Sequence, residues 1–219
     1  MEAYTLERWQ RVAPTYGTVE RFIERRVFGP WRSRIWSLVR GDHVLEVAVG
    51  TGSNMPFYPP GIHVTAFDIS SARVGRARQR AQMLGLDVDL RVMDAERLEF
   101  PTGGFDTAVA TWVLCSVPDA VAALRELGRV VKPKGQILLL EHVRVDAPVI
   151  GRLMDWLDPW AVRRGAGHIN RHTVETVRQA GLEVERVEDL ALDGLVKLIV
   201  AWVPSTAGAG QEGAWTGID

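Results

Sequence analysis

Short apolar runs rich in β-branched residues alternate along this chain with stretches of helical periodicity, and this alternation constrains the fold more than any other feature. The runs are His43–Val49, Ile62–Phe67, Val88–Met93, Phe105–Thr111 and Gln136–His142. Strands that alternate with helices favour a parallel sheet covered by helices on both faces. Ligands of such sheets bind beyond the carboxyl ends of the strands. The loops after these runs are therefore where a functional site is expected.

Two of the intervening helices have boundaries that can be predicted from the sequence. The first follows Ser70 or Ser71, either of which can cap it, and Gly85 closes it. The second lies between Pro118, which suits a first helical turn, and Pro133, which stops the pattern.

The order of elements changes after the fifth run. The stretch "PVIGRLMDWLDPWAVRRGAGH" predicts a tryptophan-rich helical insertion at about 147–168, and "NRHTVETVRQAGL" predicts a short helix. The segments "LEVERVEDLAL" and "LVKLIVAWV" are strand candidates close enough in sequence to pair antiparallel. Residues 204–219 are rich in Gly and Ala and lack periodicity, which predicts a disordered tail.

Composition and charge exclude several classes of protein. A chain of 219 residues with 47% hydrophobic residues can build one sizeable core. Its formal charge of −1 provides no global field for nucleic acid, so no nucleic-acid partner is predicted. The single cysteine excludes an intramolecular disulfide. No signal segment or spanning apolar run is visible, so we expect a cytoplasmic protein that is at most peripheral at the inner face of a membrane.

The segment "VLEVAVGTGSN" after the first run is typical of a strand that turns into a ligand-binding loop. A dinucleotide fingerprint would need a third glycine where Met55 stands, and a phosphate-binding P-loop would need a Gly-Lys-Ser/Thr that does not follow. What remains is Glu46 at the strand end, followed by Gly50 and Gly52, whose backbone can adopt positive φ and admit ligand atoms closely. A plain strand-to-helix turn explains these glycines equally well.

Acids at the next two strand ends favour a nucleoside ligand. Asp68 is placed to accept hydrogen bonds from vicinal ribose hydroxyls, as the acid after strand two does in nucleotide folds. Asp94 ends the third run, where a free adenine amino group would need an acceptor.

With these residues established, the sequence resembles the class I S-adenosylmethionine-dependent methyltransferases from about Trp9 to Val203. Besides the loop, the resemblance depends on "VTAFDIS", "DAERLEFPTGGFDTAVA" and "LRELGRVVKPKGQILLLEHV". It implies an α/β fold with a Rossmann-like, seven-stranded, mostly parallel sheet, an antiparallel last strand and helices on both faces. An N-terminal helical lid at 1–41 would precede a methyltransferase core at 42–203.

The resemblance implies that the chain is an enzyme that binds S-adenosyl-L-methionine and releases S-adenosyl-L-homocysteine. The residues that match the family's cofactor-binding positions are Tyr16, Glu46, Ala48, Gly50, Gly52, Asn54, Asp68, Ile69, Asp94, Ala95 and Thr111.

At the methionine end of the cofactor, the resemblance implies that Gly50 and Gly52 line the ligand with Glu46 as the supporting acid. The carbonyl of Thr111 would accept from the cofactor's ammonium, and Tyr16 would cover the cofactor from the lid.

At the nucleoside end, Asp68 would bind the ribose and Ile69 would pack on the adenine. Asp94 would accept from the adenine amino group, and Ala95 would donate its backbone N–H to the ring. Ala48 departs from the family pattern because a glycine is usual there; we expect its methyl group to affect only how closely the ligand approaches.

Catalysis by such an enzyme is mainly in-line positioning of a nucleophile near the donor methyl group, in a site that excludes water. A general base helps where the acceptor is protonated, and the candidates are His142 and His168. His172 is interpreted as a surface histidine and Cys115 as a small buried filler. No Cys/His cluster has the spacing of metal ligands, so no metal is predicted.

Two segments that combine arginine with aromatic residues bear on the acceptor: "RFIERRVFGPWRSRIWSLVR" and "RLMDWLDPWAVRR". They suit a membrane interface or an anionic amphiphile. The alternative is that the aromatics pack on the sheet while the arginines face water.

Within the family, "TWVLCSVPD", "LLLLEHV" and "GHINRHT" resemble thiol S-methyltransferases, and the cofactor half resembles phospholipid N-methyltransferases. The expected acceptor is a small, lipophilic thiol or a phospholipid amine such as phosphatidylethanolamine. A quinone-ring C-methyltransferase is the alternative of the same class, and a catalytically inactive cofactor-binding module is the alternative of another class. The oligomeric state is not predicted.

Overall fold

The computed structural model describes residues 24–144, 148–164, 170–191 and 194–205. The strands are β1 His43–Val47, β2 His63–Asp68, β3 Val88–Val92, β4 Phe105–Thr111, β5 Val131–His142, β6 Glu183–Ala191 and β7 Val196–Trp202. The helices are α1 Gly29–Trp36, α2 Ser71–Leu84, α3 Ala120–Val130, α4 Pro148–Arg164 and α5 Thr173–Gln179. A π-helical turn, Glu24–Phe28, precedes α1, and a 3-10 turn, Met55–Phe57, follows the loop after β1.

The seven strands form one sheet in the order β3-β2-β1-β4-β5-β7-β6. β1 pairs parallel with β2 and β4, and β7 runs antiparallel to both of its neighbours, β5 and β6. This confirms the predicted mostly parallel sheet with an antiparallel last strand. The strand order reverses between β1 and β4, and the crevice at the carboxyl ends of these two strands is where such folds bind ligands.

Alternate residues of the central strands supply separate cores on the two faces of the sheet. On one face, Leu45 and Leu139 pack with Leu124 of α3. On the other face, Leu138 packs with Trp36 of α1. Each of these side chains is fully buried, and burial of this kind contributes about 1.5–3 kcal/mol for each large apolar side chain. α1 and α3 therefore cover opposite faces of the sheet beside the crevice between β1 and β4.

The first two predicted helices are present, with one boundary corrected. The Oγ of Ser70 caps α2 by accepting from the backbone N–H of Arg73, and Gly85 ends the helix with φ 66°. α3 begins at Ala120, because the carboxylate of Asp119 caps it. The expectation that Pro118 lies in the first helical turn was wrong, since Pro118 precedes the cap.

β5 also begins earlier than predicted. It starts at Val131, which pairs with Phe105, and the register shifts before Gln136 pairs with Thr107. Lys134 lies in this irregular part with φ 60°. The apolar pattern had indicated only the regular half of the strand, because that half alone is buried without interruption.

Some expectations lie outside the described residues, among them Tyr16, His168 and most of the predicted tail. The described part of the predicted lid contains α1, and its role as a lid stays a prediction. Among the described helices, none combines the length and apolar character that crossing a membrane requires.

Candidate active site

The loop after β1 has the left-handed backbone that its glycines predict, and it extends this conformation to an alanine. Gly50 and Gly52 have φ 57° and 81°, and Ala48 has φ 52°. An L-residue in this region costs about 1–2 kcal/mol. The expectation that Ala48 affects only the closeness of a ligand therefore needs correction, because its main consequence is backbone strain.

The two glycines serve different purposes. A Cβ added to Gly52 would lie 2.6 Å from Sδ of Met55, so the buried Met55 side chain would have to shift. A Cβ added to Gly50 would find no heavy atom nearer than the Ala48 carbonyl oxygen at 4.0 Å. The space in front of Gly50 is therefore open, as a ligand-binding turn needs.

A buried hydrogen-bonded network lies behind this loop. Asn54 donates through Nδ2 to Oε1 of Glu46 at 2.6 Å and to Oγ1 of Thr111 at 3.0 Å. The hydroxyl of Tyr58 donates to the other carboxylate oxygen of Glu46. Burial raises the pKa of Glu46 from 4.5 to about 7, against the opposing effect of these hydrogen bonds. Both Nδ2 hydrogens of Asn54 are used inside the protein, so its side chain orients Glu46 and Thr111.

Arg32 of α1 completes the network. Its Nη1 donates to Oδ1 of Asn54 at 2.6 Å and to Oγ1 of Thr111 at 3.2 Å, and its charge acts on Glu46. The residue is only 7% exposed. The alternative in which the arginines of this segment face water is therefore wrong for Arg32, although Arg34 does lie exposed against Glu188. Helix α1 thus supplies a cation to the crevice between β1 and β4.

Asp68, at the end of β2, is directly connected to the glycine loop. Its Oδ2 accepts from the backbone N–H of Gly50 at 3.0 Å, and its Oδ1 accepts from the N–H of Ser70 at 2.9 Å. Burial raises the pKa of Asp68, while these hydrogen bonds and Arg73 oppose the increase. Ile69, the next residue, is 37% exposed at the same edge. The buried carboxylate of Asp68 is therefore followed directly in sequence by an accessible apolar side chain.

Asp94 lies at the end of the neighbouring strand. Asp68 pairs with Val92 of β3, so Asp94 follows at the same edge of the sheet. Its Oδ1 accepts from the N–H of Glu96 at 2.9 Å, which fixes the turn, and Ala95 within that turn is buried. The three strand-end acids, Glu46, Asp68 and Asp94, thus line successive strands β1, β2 and β3.

The other side of the crevice is aromatic. Trp112, which follows β4 with φ 59°, packs on the imidazole of His142 with ring centroids 4.1 Å apart. Phe28 and Trp31 contact the same tryptophan at 5.7 and 6.3 Å. Burial lowers the pKa of His142 below its ordinary 6.5, so the ring is neutral at pH 7 and able to accept a proton.

Glu141 holds the loop after β4 in place. Its Oε1 accepts from the backbone N–H groups of Val113 and Leu114 at 2.8 and 3.0 Å, and burial raises its pKa from 4.5 to about 7. Cys115 lies in this loop, and burial, followed by the nearby charge of Glu141, raises the pKa of its thiol to about 11. The thiol is therefore protonated at neutral pH, as suits a packing residue.

The fold brings most of the predicted residues to one edge of the sheet, on β1, β2, β3 and β4 and the loops that follow them. Tyr16 and His168 lie outside the described residues, and His172 is exposed at the start of α5. Within the part of the chain that the structure describes, no three His, Cys, Asp or Glu residues are arranged to hold a metal ion.

Several residues of the site were not identified from the sequence. Arg32, Tyr58 and Glu141 reach it through side-chain contacts across the fold. Trp112 offered one local signal, because it directly follows the predicted strand end at Thr111.

Comparison with known proteins places the site in a family. Residues 45–139 match the model of the methyltransferase domain family. The chain is 34% identical over 142 residues to a phosphatidylethanolamine N-methyltransferase of Cereibacter sphaeroides, with 64% of this chain and 67% of that protein covered. It is 30% identical over 169 residues to a 2-phytyl-1,4-naphtoquinone methyltransferase of Synechococcus elongatus, with 72% of each covered.

The solved structures show the same architecture. The crystal structure of the [4+2]-cyclase SpnF superimposes with a TM-score of 0.68 at 22% identity, covering 83% of this chain and 80% of that one. At this identity the likeness concerns the fold alone, and the chemistry has to be argued from the residues of the site.

Proposed function

Because this chain belongs to the class I S-adenosylmethionine-dependent methyltransferases, we propose that it methylates the amine of a phospholipid such as phosphatidylethanolamine. The family relationship supplies the donor, and the acceptor is inferred from the site and from the relatives.

The described residues fit this donor. The open space in front of Gly50 admits a ligand at the turn after β1. The backbone N–H of Gly50 donates to the carboxylate of Asp68, and the next residue, Ile69, exposes an apolar side chain. A carboxylate that can accept from hydroxyl groups, next to an apolar surface that can pack on a base, is the donor and acceptor chemistry that a nucleoside requires.

We assign the donor-binding roles accordingly. Asp68 would accept from the ribose hydroxyls, and Asp94 would accept from the adenine amino group. Gly50 would give the methionine part close access to the backbone, and Thr111 would offer its carbonyl to the ammonium group. Glu46, held by Asn54 and Tyr58, would set the charge at that end of the site.

When bound, S-adenosylmethionine supplies an electrophilic methyl group on its sulfonium. The protein has to place an acceptor with a free lone pair in line with it. A phospholipid amine is an ammonium ion at neutral pH and must lose a proton before its nitrogen can attack. His142, whose pKa is lowered by burial, would accept that proton, and the products are the N-methylated lipid and S-adenosylhomocysteine.

The observation that carries the choice of a lipophilic acceptor is the aromatic wall formed by Phe28, Trp31, Trp112 and His142. It lines the side of the crevice opposite Asp68 and Asp94, and we place the acceptor there. Aromatic rings bind apolar chains and also favour cations on their faces. An ammonium headgroup attached to acyl chains matches both properties. The similarity to a phosphatidylethanolamine N-methyltransferase supports the same choice, and peripheral contact with a membrane would follow from it.

A quinone ring is the second candidate acceptor, because the chain is also similar to a naphthoquinone methyltransferase. An aromatic wall suits a quinone as well. The two candidates differ in charge. A quinone ring carries no cation that could contact the indole of Trp112, and it has no ammonium proton for His142 to accept.

The test is transfer of a radiolabelled methyl group from S-adenosylmethionine to three acceptors in parallel: phosphatidylethanolamine vesicles, small thiols and quinols. Label that migrates with monomethyl-phosphatidylethanolamine is expected. Label in the quinone or thiol fraction would replace the proposed acceptor. Binding of S-adenosylhomocysteine without transfer to any acceptor would support a catalytically inactive cofactor-binding module.

A further inference from the structure

One side of α4 presents large apolar side chains to solvent. Leu153, Trp156 and Trp160 are 52%, 76% and 54% exposed. Steps of three and four residues place them along one face of the helix, and we call this set the α4 stripe. Exposed tryptophans of this extent are unusual on a soluble surface, and contiguous apolar patches mark interaction sites.

The opposite face of α4 is directed toward the body of the protein. Gly151, Met154 and Asp158 are buried, again at steps of three and four. Asp155 is held by Arg144 at 2.9 Å and by Nδ2 of Asn170 at 3.2 Å. None of the three apolar clusters formed by the described residues includes a residue of α4. Among the described residues, the contacts given for this helix include the ion pair and hydrogen bond of Asp155, and the α4 stripe lies on the side opposite its buried residues.

The attachment places α4 at the same edge of the sheet as the candidate active site. Arg144 follows the carboxyl end of β5, and its backbone N–H donates to the carbonyl of Arg171 at 3.0 Å. Arg171 in turn donates through Nη2 to the carbonyl of Val117, in the loop after β4. The α4 stripe therefore belongs to the end of the molecule that the acceptor must approach.

We propose that the α4 stripe docks the protein on an anionic membrane surface. Tryptophan prefers the boundary between headgroups and acyl chains, and helices that lie in this boundary combine such residues with arginine. Arg152 is exposed on α4, and the helix sequence ends in Arg163 and Arg164. The exposed acid of the stretch, Asp155, is already paired with Arg144. The sequence of α4 therefore carries three arginines against two aspartates, a net positive charge that complements anionic lipid.

The size of the stripe favours a membrane over a second copy of the chain. Three side chains exposed to this extent present about 400 Å², whereas a standard protein interface buries about 800 Å² on each partner. Insertion of a few tryptophans into an interfacial layer needs no larger surface. The role of docking rests on the proposed function, because docking would bring a lipid acceptor to the crevice. Binding to vesicles can be measured without the methyl donor and without methyl transfer.

The experiment is flotation of the full-length chain with vesicles of phosphatidylcholine alone and vesicles of phosphatidylcholine and phosphatidylglycerol in equal amounts. The Trp156→Ala/Trp160→Ala variant is compared with Met83→Ala, which truncates an apolar side chain that is 79% exposed on α2. Each tryptophan is expected to contribute about tenfold to the binding constant for the anionic vesicles. Binding should weaken with added salt because the arginines contribute.

The expected result is binding of the wild type to anionic vesicles, a loss of about a hundredfold in the double variant, and no change in Met83→Ala. Unchanged binding by the double variant, or no vesicle binding by a wild type that still binds S-adenosylhomocysteine, would overturn the proposal. A stable wild-type dimer that the double variant converts to a monomer would assign the stripe to a second copy instead. Methyl transfer to a soluble short-chain phosphatidylethanolamine should survive in the double variant, which separates docking from the proposed reaction.

Discussion

At the two ends of the central sheet, the pKa values of acidic side chains are shifted in opposite directions. At the amino end, Asp106 accepts from Lys132 at 2.5 Å and from the backbone N–H groups of Asp42 and His43. These contacts, chiefly the Lys132 hydrogen bond, lower its pKa from 3.8 to about 2. At the carboxyl end, burial instead raises the pKa values of Glu46 and Glu141 to about 7.

The left-handed backbone does not separate the two ends, because Ala48 and Trp112 adopt it at the carboxyl end and Lys134 adopts it near the amino end. Buried acids that reduce stability are tolerated where the strands meet the crevice, and ion pairing supports stability at the opposite end. The difference indicates which end of the sheet is committed to function.

The largest expected effect concerns the two histidines at opposite ends of the sheet. The His142→Gln variant lacks the proposed base, and its kcat for lipid methylation should be lower by about a hundredfold or more. The control is His63→Gln, since His63 is exposed at the start of β2. Steady-state kinetics would show unchanged rates for the control. Equal rates for wild type and His142→Gln would refute the role of His142.

Arg32 should matter more for stability than the cation at the amino end. Arg32→Ala leaves the buried Oδ1 of Asn54 without this donor and removes one of the two donors to Oγ1 of Thr111, and it should cost about 3 kcal/mol of unfolding free energy. Lys132→Ala breaks a half-exposed pair and should cost about 1 kcal/mol or less. Arg34→Ala, in the same helix as Arg32 and paired among the described residues with half-buried Glu188, should be nearly neutral. Urea denaturation measures all three, and similar losses for Arg32→Ala and Arg34→Ala would contradict the buried network.

The two ends should also respond to pH in opposite senses. Glu46 and Glu141 keep a proton in the folded state up to pH about 7, whereas an unfolded glutamate loses it near 4.3. Their contribution to stability is therefore present at low pH and declines as pH rises between these values. Asp106, with its pKa lowered to about 2, contributes stability above pH about 4 that is lost as pH falls.

Glu141→Gln is expected to flatten the decline between pH 5 and pH 7. Each buried carboxyl contributes at most about 1.4 kcal/mol per pH unit, and the variant should remove roughly half of the combined slope. Urea denaturation at pH 5, 6 and 7 gives the slopes. A slope as steep as that of the wild type would show that Glu141 is already ionised in the folded protein at pH 5.

The smallest effect should come from relieving strain in the loop after β1. Ala48→Gly removes the side chain from a residue with φ 52° and should raise the unfolding free energy by about 0.5–1 kcal/mol, net of the greater flexibility of unfolded glycine. Thermal unfolding would measure this gain, with Ala72→Gly on the exposed surface of α2 as a control that should lose stability. A loss at position 48 would show that the methyl group of Ala48 makes contacts that outweigh its strain.

The sequence predicted those parts of the molecule that depend on local pattern. The five parallel strands follow from periodicity, the cap at Ser70 from a serine before a helix, and the turn at Gly50 and Gly52 from the freedom of glycine. Asp68 and Asp94 could be grouped because parallel strands end at a common edge.

The parts that the sequence did not predict depend on distant contacts. Arg32 meets Asn54 and Thr111 across 22 and 79 residues, and nothing in its neighbourhood distinguishes it from the exposed Arg34. The strain at Ala48 was also missed, because φ is set by the hydrogen bonds of the whole loop. The cap at Asp119 was not predicted, because Pro118 directly before it is itself typical of a first helical turn.

The most direct test of the contrast between the two ends is calorimetric titration of S-adenosylhomocysteine into wild type, Asp68→Ala and Asp106→Ala. We expect Asp68→Ala to bind about a hundredfold more weakly, because two charge-assisted hydrogen bonds to the ribose are lost. Asp106→Ala should bind as the wild type does while losing about 1 kcal/mol of stability. Equal affinities for Asp68→Ala and the wild type, or no binding by a folded wild type, would contradict the assignment of the carboxyl end as the donor site.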